Sequence, residues 1–201
     1  ALESGKYDAD SVIPNPASLP LPGTNISLPN FTTGACSARS EADFAFALAW
    51  SCNTVFAQVA LDLGQDNIAA QAEKFGFDAS LKIPTDVVAS HFPENEDEAQ
   101  LALASIGQGS VTATPLEVAM ISAAIANDGV QMTPNLVRSV RDSDLSVIDE
   151  PKPTELNTSV SPDTARQLTE WMVGVVDNGS ATAARIPGIK VSGKTGTAQV
   201  E

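Results

Sequence analysis

The chain has 201 residues, of which 43% are hydrophobic, so it is long enough and apolar enough to fold around a core. Its formal net charge is −14, with 25 acidic residues against 11 Lys and Arg. These numbers argue against general disorder, and without a basic cluster they disfavour nucleic acid and anionic lipid as partners. No apolar run approaches the ~20 residues needed to cross a bilayer.

Histidine and cysteine are too few for a standard zinc site, since the chain has one His and two Cys. We expect neither a metal nor a cofactor, and we assign His91, which lies beside an acidic stretch, a structural role. Cys36 and Cys52 could form a disulfide only outside the reducing cytosol. The alternative is that Cys52 is a small buried residue in a turn between helices.

In chain order, residues 11–35 are rich in Pro, Asn, Gly and Thr and predict extended chain and turns. Helical spacing then predicts five helices and a shorter one that ends at residue 106. The five predicted helices cover residues 40–50, 54–63, 65–75, 114–127 and 161–178. Two β-like runs, 136–141 and 145–149, predict a hairpin, and the tail 189–199 begins with strand-like alternation.

The tail contains an ammonium group, two hydroxyls and a glycine in succession: Lys194, Thr195, Gly196 and Thr197. On a strand, the lysine and glycine would share one face and the threonines the other, although twist at a sheet edge can turn all of them toward one cleft. Such an edge could bind an extended peptide and hold its carboxylate. Taken alone, the motif is explained more simply by a solvated lysine beside a turn.

A second polar group, Ser51, Cys52 and Asn53, interrupts two apolar helices. Because a buried unsatisfied amide costs roughly 1–3 kcal/mol, these side chains must face either solvent or a cleft. Taken alone, the triplet is explained by an ordinary turn in which Asn53 caps the following helix.

The two motifs occur in the order of the Ser-x-Asn and Lys-Thr-Gly elements that, together with Ser-x-x-Lys, mark penicillin-binding proteins and class A β-lactamases. The sequence resembles the penicillin-binding transpeptidase family over almost its whole length, most closely in residues 104–109, 113–117, 124–127 and 192–199. It is similar above all to the class B enzymes of actinobacteria, with which it shares residues 21–24, 51–54 and 92–93.

The resemblance implies an α+β fold of the penicillin-binding and serine β-lactamase type. This chain would hold the helical lobe and one or more strands of an antiparallel sheet. Family members cross-link peptidoglycan by attacking the D-Ala-D-Ala bond of a stem peptide and passing the acyl group to an amine. Penicillins and other β-lactams mimic that dipeptide and leave a stable acyl-enzyme.

The resemblance also implies the roles of the site residues. Ser51 would relay a proton to the leaving group, Asn53 would hold the first-motif lysine and the substrate amide, and Lys194 would attract the substrate carboxylate. The remaining residues would bind substrate, with the Thr197 N–H forming half of an oxyanion hole: Thr195, Gly196 and Thr197.

The sequence departs from the family pattern at one point, because none of its lysines has a serine three residues earlier. Residues 1–7 resemble the end of the helix that begins with Ser-x-x-Lys in the family. We therefore expect the nucleophile about ten residues before Ala1. The strands that follow Lys-Thr-Gly in the family are also absent, so residues 1–201 are expected to be an internal part of a single transpeptidase domain.

Three functions remain open from the sequence. The leading interpretation is a D,D-transpeptidase whose parent protein is anchored at the extracytoplasmic face of the plasma membrane. Divisome or other cell-wall synthesis proteins would then be its partners. A D,D-carboxypeptidase or β-lactamase would use the same motifs, and a non-catalytic sensor would keep the fold to bind β-lactams or muropeptides. The isolated chain is expected to be inactive in every case, because it lacks the first motif.

Overall fold

The computed structural model describes residues 1–197, apart from residues 32, 33, 35, 82, 84, 95 and 96. The end of the tail that resembles the family, Ala198 and Gln199, lies outside the described residues, as does part of the acidic loop before residue 98.

Within the described residues the chain forms six α-helices, and most predicted helices are confirmed. In order, α1 to α6 are Phe44–Trp50, Asn53–Leu63, Gln65–Lys74, Glu98–Ala104, Pro115–Ala126 and Pro162–Asn178. Three short 3-10 turns accompany them, at Leu2–Ser4, Cys36–Ala38 and Thr182–Ala184.

Local capping chemistry explains where the helices begin. Thr114 accepts a hydrogen bond from the backbone N–H of Glu117, and Ser161 caps α6 in the same way. Each of these caps is followed by a proline at the first helical position, as the sequence predicts. The predicted start of the first helix near Ser40 is wrong, because Asp43 caps α1 and the residues before it form a strand.

Eight short strands pair into four separate two-stranded antiparallel ribbons in the described part of the chain, β1 with β4, β2 with β3, β5 with β8 and β6 with β7. From β1 to β8 the strands are Val12–Pro14, Ser18–Pro20, Ser27–Pro29, Glu41–Asp43, Val130–Met132, Val140–Arg141, Val147–Asp149 and Glu155–Thr158. The predicted hairpin is confirmed with shorter strands. The segment predicted as extended chain and turns contains three of the strands, so strands occur early as well as late.

The tail has no regular secondary structure between residues 191 and 197, although its alternation predicted a strand. Single contacts hold it to the helical lobe instead. The Gly193 N–H donates to the Met172 carbonyl in α6 at 3.1 Å. The Ser192 hydroxyl donates to the Thr169 carbonyl of the same helix at 3.4 Å. The course of the tail therefore follows α6 rather than a neighbouring strand.

Two apolar clusters form the core. The larger one packs α1 and α2 against α6, where the ring of Phe44 stacks on Trp171 at a centroid distance of 6.1 Å. The smaller cluster joins α2 and α4 to the ribbon of β2 and β3. Within the described ranges, no helix combines the length and the apolarity needed to cross a membrane.

His91 has a structural role in the connection between α3 and α5. Its Nδ1 lies 2.5 Å from a carboxylate oxygen of Asp78, and its backbone pairs with Thr112 in both directions. These contacts join two loops that lie far apart along the chain, which is the role expected from the sequence.

Glu117 is a buried carboxyl group in the first turn of α5, with 2% of the residue exposed. Its Oε1 lies 3.5 Å from Nε2 of Gln131, and it packs on Gly76, where a Cβ would come within 2.8 Å of the same oxygen. Burial raises the pKa of Glu117, and the hydrogen bond from Gln131 opposes this shift. The Oε1 of Gln131 is buried and has no hydrogen-bond partner among the described residues.

Replacing Glu117 by Gln should therefore remove a pH dependence of stability. A folded-state pKa above the unfolded value means that the free energy of unfolding falls as pH rises from the usual glutamate range through the raised pKa. E117Q should abolish this decline and stabilise the protein at pH values above the raised pKa, since a neutral amide carries no charge into the buried site. Thermal unfolding of the purified protein, followed from roughly pH 4 upward through neutral pH, measures the effect.

A matched control is E98Q, because Glu98 occupies the first turn of α4 but is exposed. It should retain the decline that E117Q removes. A profile for E117Q that runs parallel to the wild-type profile would show that Glu117 does not titrate in this range.

Candidate active site

Ser51 lies at the junction of α1 and α2 in a left-handed backbone conformation, with φ 56° and ψ 53°. For a residue with a Cβ this conformation costs roughly 1–2 kcal/mol, so the surrounding structure must hold it. The Ser51 and Cys52 N–H groups donate to carbonyls in the last turns of α1. The turn ends α1 and projects the Ser51 hydroxyl away from the core.

A disulfide and a network of buried hydrogen bonds hold this turn in place. Cys52 is fully buried and bonded to Cys36, with an S–S distance of 2.08 Å. Thr54, also fully buried, donates its hydroxyl to the Pro16 carbonyl at 3.1 Å, and its N–H donates to Oδ1 of Asn30 at 3.2 Å. The sulfur bridge and the threonine therefore tie the turn to the segment between β1 and β4.

Asn15 completes the network. Its Nδ2 donates to the carbonyls of Cys36 and Arg39 at 2.9 and 2.8 Å, and its Oδ1 lies 3.4 Å from the Thr54 hydroxyl. Asn15 is fully buried, and a buried amide without partners would be costly. These hydrogen bonds therefore fix the loop that carries Cys36 against the first turn of α2.

Lys194 reaches the same turn from the other end of the sequence. Its Nζ donates to the Ser51 hydroxyl at 2.8 Å and to the Thr195 carbonyl at 2.8 Å, and it lies 3.5 Å from the Thr195 hydroxyl. The strand predicted here is absent, but Lys194 and Thr195 lie together as expected, since Nζ contacts both the carbonyl and the hydroxyl of Thr195.

The charge of Lys194 is available to a ligand. No carboxylate of a described residue lies within 4.0 Å of its Nζ, and its neighbours are neutral oxygens. Partial burial lowers the pKa of the Lys194 ammonium. A partly desolvated cation beside hydroxyl groups is well suited to bind an anion such as a carboxylate.

The other predicted site residues are not all joined in this network. Asn53 begins α2, and its Nδ2 donates to the Pro29 carbonyl at 3.1 Å; within the described residues no hydrogen bond joins it to Lys194. The Thr197 carbonyl accepts from Nε2 of Gln108 at 2.8 Å. No described residue lies within 4 Å of the position that a Cβ of Gly196 would take, so contacts with the described residues do not require a glycine there.

Several residues that shape the site have no local signal in the sequence. Asn15 and Asn30 are typical loop residues, and only the family resemblance in residues 51–54 and 104–109 points to Thr54 and to the region of Gln108. Ser180 belongs to no motif, although its hydroxyl lies 2.8 Å from that of Thr195.

Comparison with known proteins identifies the family in which these two motifs occur. The penicillin binding protein transpeptidase domain matches residues 1–201. The chain belongs to this family. It is 36% identical over 200 residues to peptidoglycan D,D-transpeptidase PbpA of Mycolicibacterium smegmatis, which covers 99% of this chain and 40% of that protein. The same identity and coverage hold for PbpA of Mycobacterium tuberculosis.

Solved structures agree with the family assignment. A ceftriaxone acyl-enzyme complex of penicillin-binding protein A from M. tuberculosis superposes with a TM-score of 0.93 at 34% identity, over 98% of this chain and 44% of that one. The D,D-transpeptidase domain of a peptidoglycan glycosyltransferase from Eggerthella lenta superposes with a TM-score of 0.91 at 36% identity, over 100% of this chain and 51% of that one. The predicted fold class and the resemblance to actinobacterial enzymes are thereby confirmed. The chain spans less than half the length of the curated relatives.

The bond between Cys36 and Cys52 is open to a direct test. It joins residues 16 positions apart, which on the chain-entropy model stabilises the fold by about 3 kcal/mol. Mass spectrometry of unreduced, alkylated protein should find neither thiol modified, and a C36S/C52S variant should be less stable by about that amount. Two alkylated thiols in the unreduced protein would contradict the bond.

Proposed function

We propose that this chain is part of a peptidoglycan D,D-transpeptidase that is also acylated by penicillins. The observation that carries the proposal is the contact between Lys194 and Ser51, which brings the second and third family motifs into one cleft. The names of the relatives support the same reaction, since they are D,D-transpeptidases and one was solved as a ceftriaxone acyl-enzyme.

The Ser51 hydroxyl is suited to relay a proton to the leaving group. It accepts a hydrogen bond from Lys194, so its own proton is free to point into the cleft. When an acyl-enzyme forms, the amine of the terminal D-Ala, or the nitrogen of a β-lactam ring, must gain a proton as its bond to the carbonyl carbon breaks. Ser51 delivers that proton and regains one from the Lys194 ammonium, which donates a hydrogen bond to its oxygen.

Lys194 and the tail hydroxyls bind the substrate carboxylate in this proposal. The cation supplies charge, and the hydroxyls of Thr195 and Thr197 donate hydrogen bonds. Gly196 leaves room for the substrate to lie against the tail, which agrees with the open space beside it. The Thr197 N–H contributes half of the oxyanion hole, and Asn53 orients the substrate amide.

We further propose that residues 1–201 form an internal part of one transpeptidase domain and that the nucleophilic serine precedes them. The sequence contains no Ser-x-x-Lys, and its relatives are much longer. A largely apolar cavity of about 260 Å³ opens beside Ala1 and is lined by Phe44, Phe56, Leu168 and Trp171 among others. The apolar face of the preceding helix would fill it.

We place the full-length protein at the extracytoplasmic face of the plasma membrane, with other cell-wall synthesis proteins as its partners. The disulfide between Cys36 and Cys52 supports this location, because such bonds persist in oxidising compartments.

Intact-mass measurements test the proposed function and the position of the nucleophile together. After incubation with excess penicillin, the full-length protein should gain one adduct. The isolated 201-residue chain should gain none, because it lacks an activated nucleophile and half of an oxyanion hole. An unmodified full-length protein would refute the function, and a stoichiometric adduct on Ser51 of the isolated chain would refute the assignment of the nucleophile.

Loss of the cation at position 194 should slow acylation strongly. In the full-length protein, K194A should reduce the second-order rate constant for a fluorescent penicillin at least ~100-fold, since a preorganised charge of this kind contributes a few kcal/mol. K194R should recover only part of the rate, because the planar guanidinium directs its charge differently.

The matched control is K190A, which removes an exposed lysine from the same tail. It should acylate at close to the wild-type rate. A folded K194A variant that loses less than about threefold, far below the effect expected of such a group, would rule out the role of Lys194 in carboxylate binding.

A further inference from the structure

Ser180 lies just beyond the end of α6, and its hydroxyl is part of the network in the cleft. Its Oγ lies 2.8 Å from Oγ1 of Thr195, a residue that we propose binds the substrate carboxylate. The hydroxyls and the ammonium group then form a continuous series from Ser51 through Lys194 and Thr195 to Ser180. Ser180 belongs to neither of the two family motifs.

The backbone of Ser180 is fixed against α1. Its N–H donates to the Ala49 carbonyl at 2.8 Å, and Ala49 lies two residues before Ser51. Gly179 makes this approach possible, because a Cβ at that position would come within 2.3 Å of the Ala49 carbonyl oxygen. One junction between α1 and α6 therefore sets the positions of both Ser51 and Ser180.

The direction of the hydrogen bonds follows from the ligand. A carboxylate only accepts hydrogen bonds, so a Thr195 hydroxyl that binds it must donate its single proton to the carboxylate. The Thr195 oxygen can then accept a hydrogen bond from the Ser180 hydroxyl, and this hydrogen bond polarises the threonine hydroxyl. Ser180 can supply that proton because its hydroxyl rotates freely and lies at hydrogen-bond distance.

We propose that Ser180 is a positioning residue of the carboxylate-binding site, which donates to the Thr195 hydroxyl and holds its proton toward the substrate carboxylate. The proposal rests on the function proposed above and adds a residue to that site. It predicts that Ser180 acts on the affinity for ligands that carry the carboxylate and not on the acylation step itself.

Acylation kinetics of the full-length protein at several penicillin concentrations test this proposal, because they separate the dissociation constant of the first complex from the rate constant of acylation. S180A should raise the dissociation constant about fivefold, the effect of losing one hydrogen bond, and leave the acylation rate constant within about twofold. S180T should restore the affinity, whereas S180V, which has the same shape as threonine without the hydroxyl, should not.

A penicillin methyl ester provides the second arm, because it lacks the carboxylate. Toward the ester, S180A and wild type should differ by less than about twofold, since the uncharged ester carbonyl forms a much weaker hydrogen bond with the Thr195 hydroxyl than a carboxylate does. The control variant is T182A, which removes an exposed hydroxyl from the 3-10 turn that follows Ser180.

Each contrary result has a distinct meaning. Three results would overturn the role of Ser180 and leave the proposed function intact. They are equal affinities of S180A and wild type for penicillin, an affinity of S180V as high as that of S180T, and an effect of S180A toward the ester as large as that toward penicillin. A wild-type protein that no penicillin acylates would overturn the proposed function, and the role of Ser180 with it.

Discussion

The left-handed backbone of Ser51 is the constraint on which the cleft depends. A serine does not adopt this conformation without support, and three attachments from different parts of the chain supply it. Cys52 is bonded to Cys36, Thr54 is hydrogen-bonded to the loop between β1 and β4, and the Ala49 carbonyl accepts from Ser180. The orientation of the Ser51 hydroxyl is therefore a property of the whole helical lobe.

The cation of the cleft is held in a different way. Lys194 lies on a segment without regular secondary structure, so no ladder of backbone hydrogen bonds sets its position. Two hydrogen bonds on either side of Lys194 set its position instead. The Gly193 N–H donates to the Met172 carbonyl in α6, and the side chain of Gln108 donates to the Thr197 carbonyl. Its partial burial strengthens the attraction for an anion and lowers its pKa for the same reason, since both follow from the loss of water around the ammonium.

Two buried polar groups in the lobe differ in how well their hydrogen bonds are satisfied. Next to Ser51, the amide of Asn15 donates both of its protons to carbonyls of the loop that carries Cys36, which makes the network rigid. Around Glu117, the amide oxygen of Gln131 has no partner in the described part of the chain, and burial disfavours the charged form of the carboxyl group. The well-satisfied network lies at the site, where accurate positions of side chains are needed, and the strained one lies away from it.

The sequence by itself determined the features that depend on neighbouring residues. Thr114 and Ser161 cap helices because a hydroxyl reaches an N–H three residues away, and the order of the two motifs indicated the family. Tertiary structure decided the rest, including the unpaired course of the tail, the strands before α1 and the place of Ser180. The contact between Ser51 and Lys194 spans 143 positions, and no local preference encodes such a distance. It forms because α1 and α6 pack together through Phe44 and Trp171, so the cleft exists only once that core is assembled.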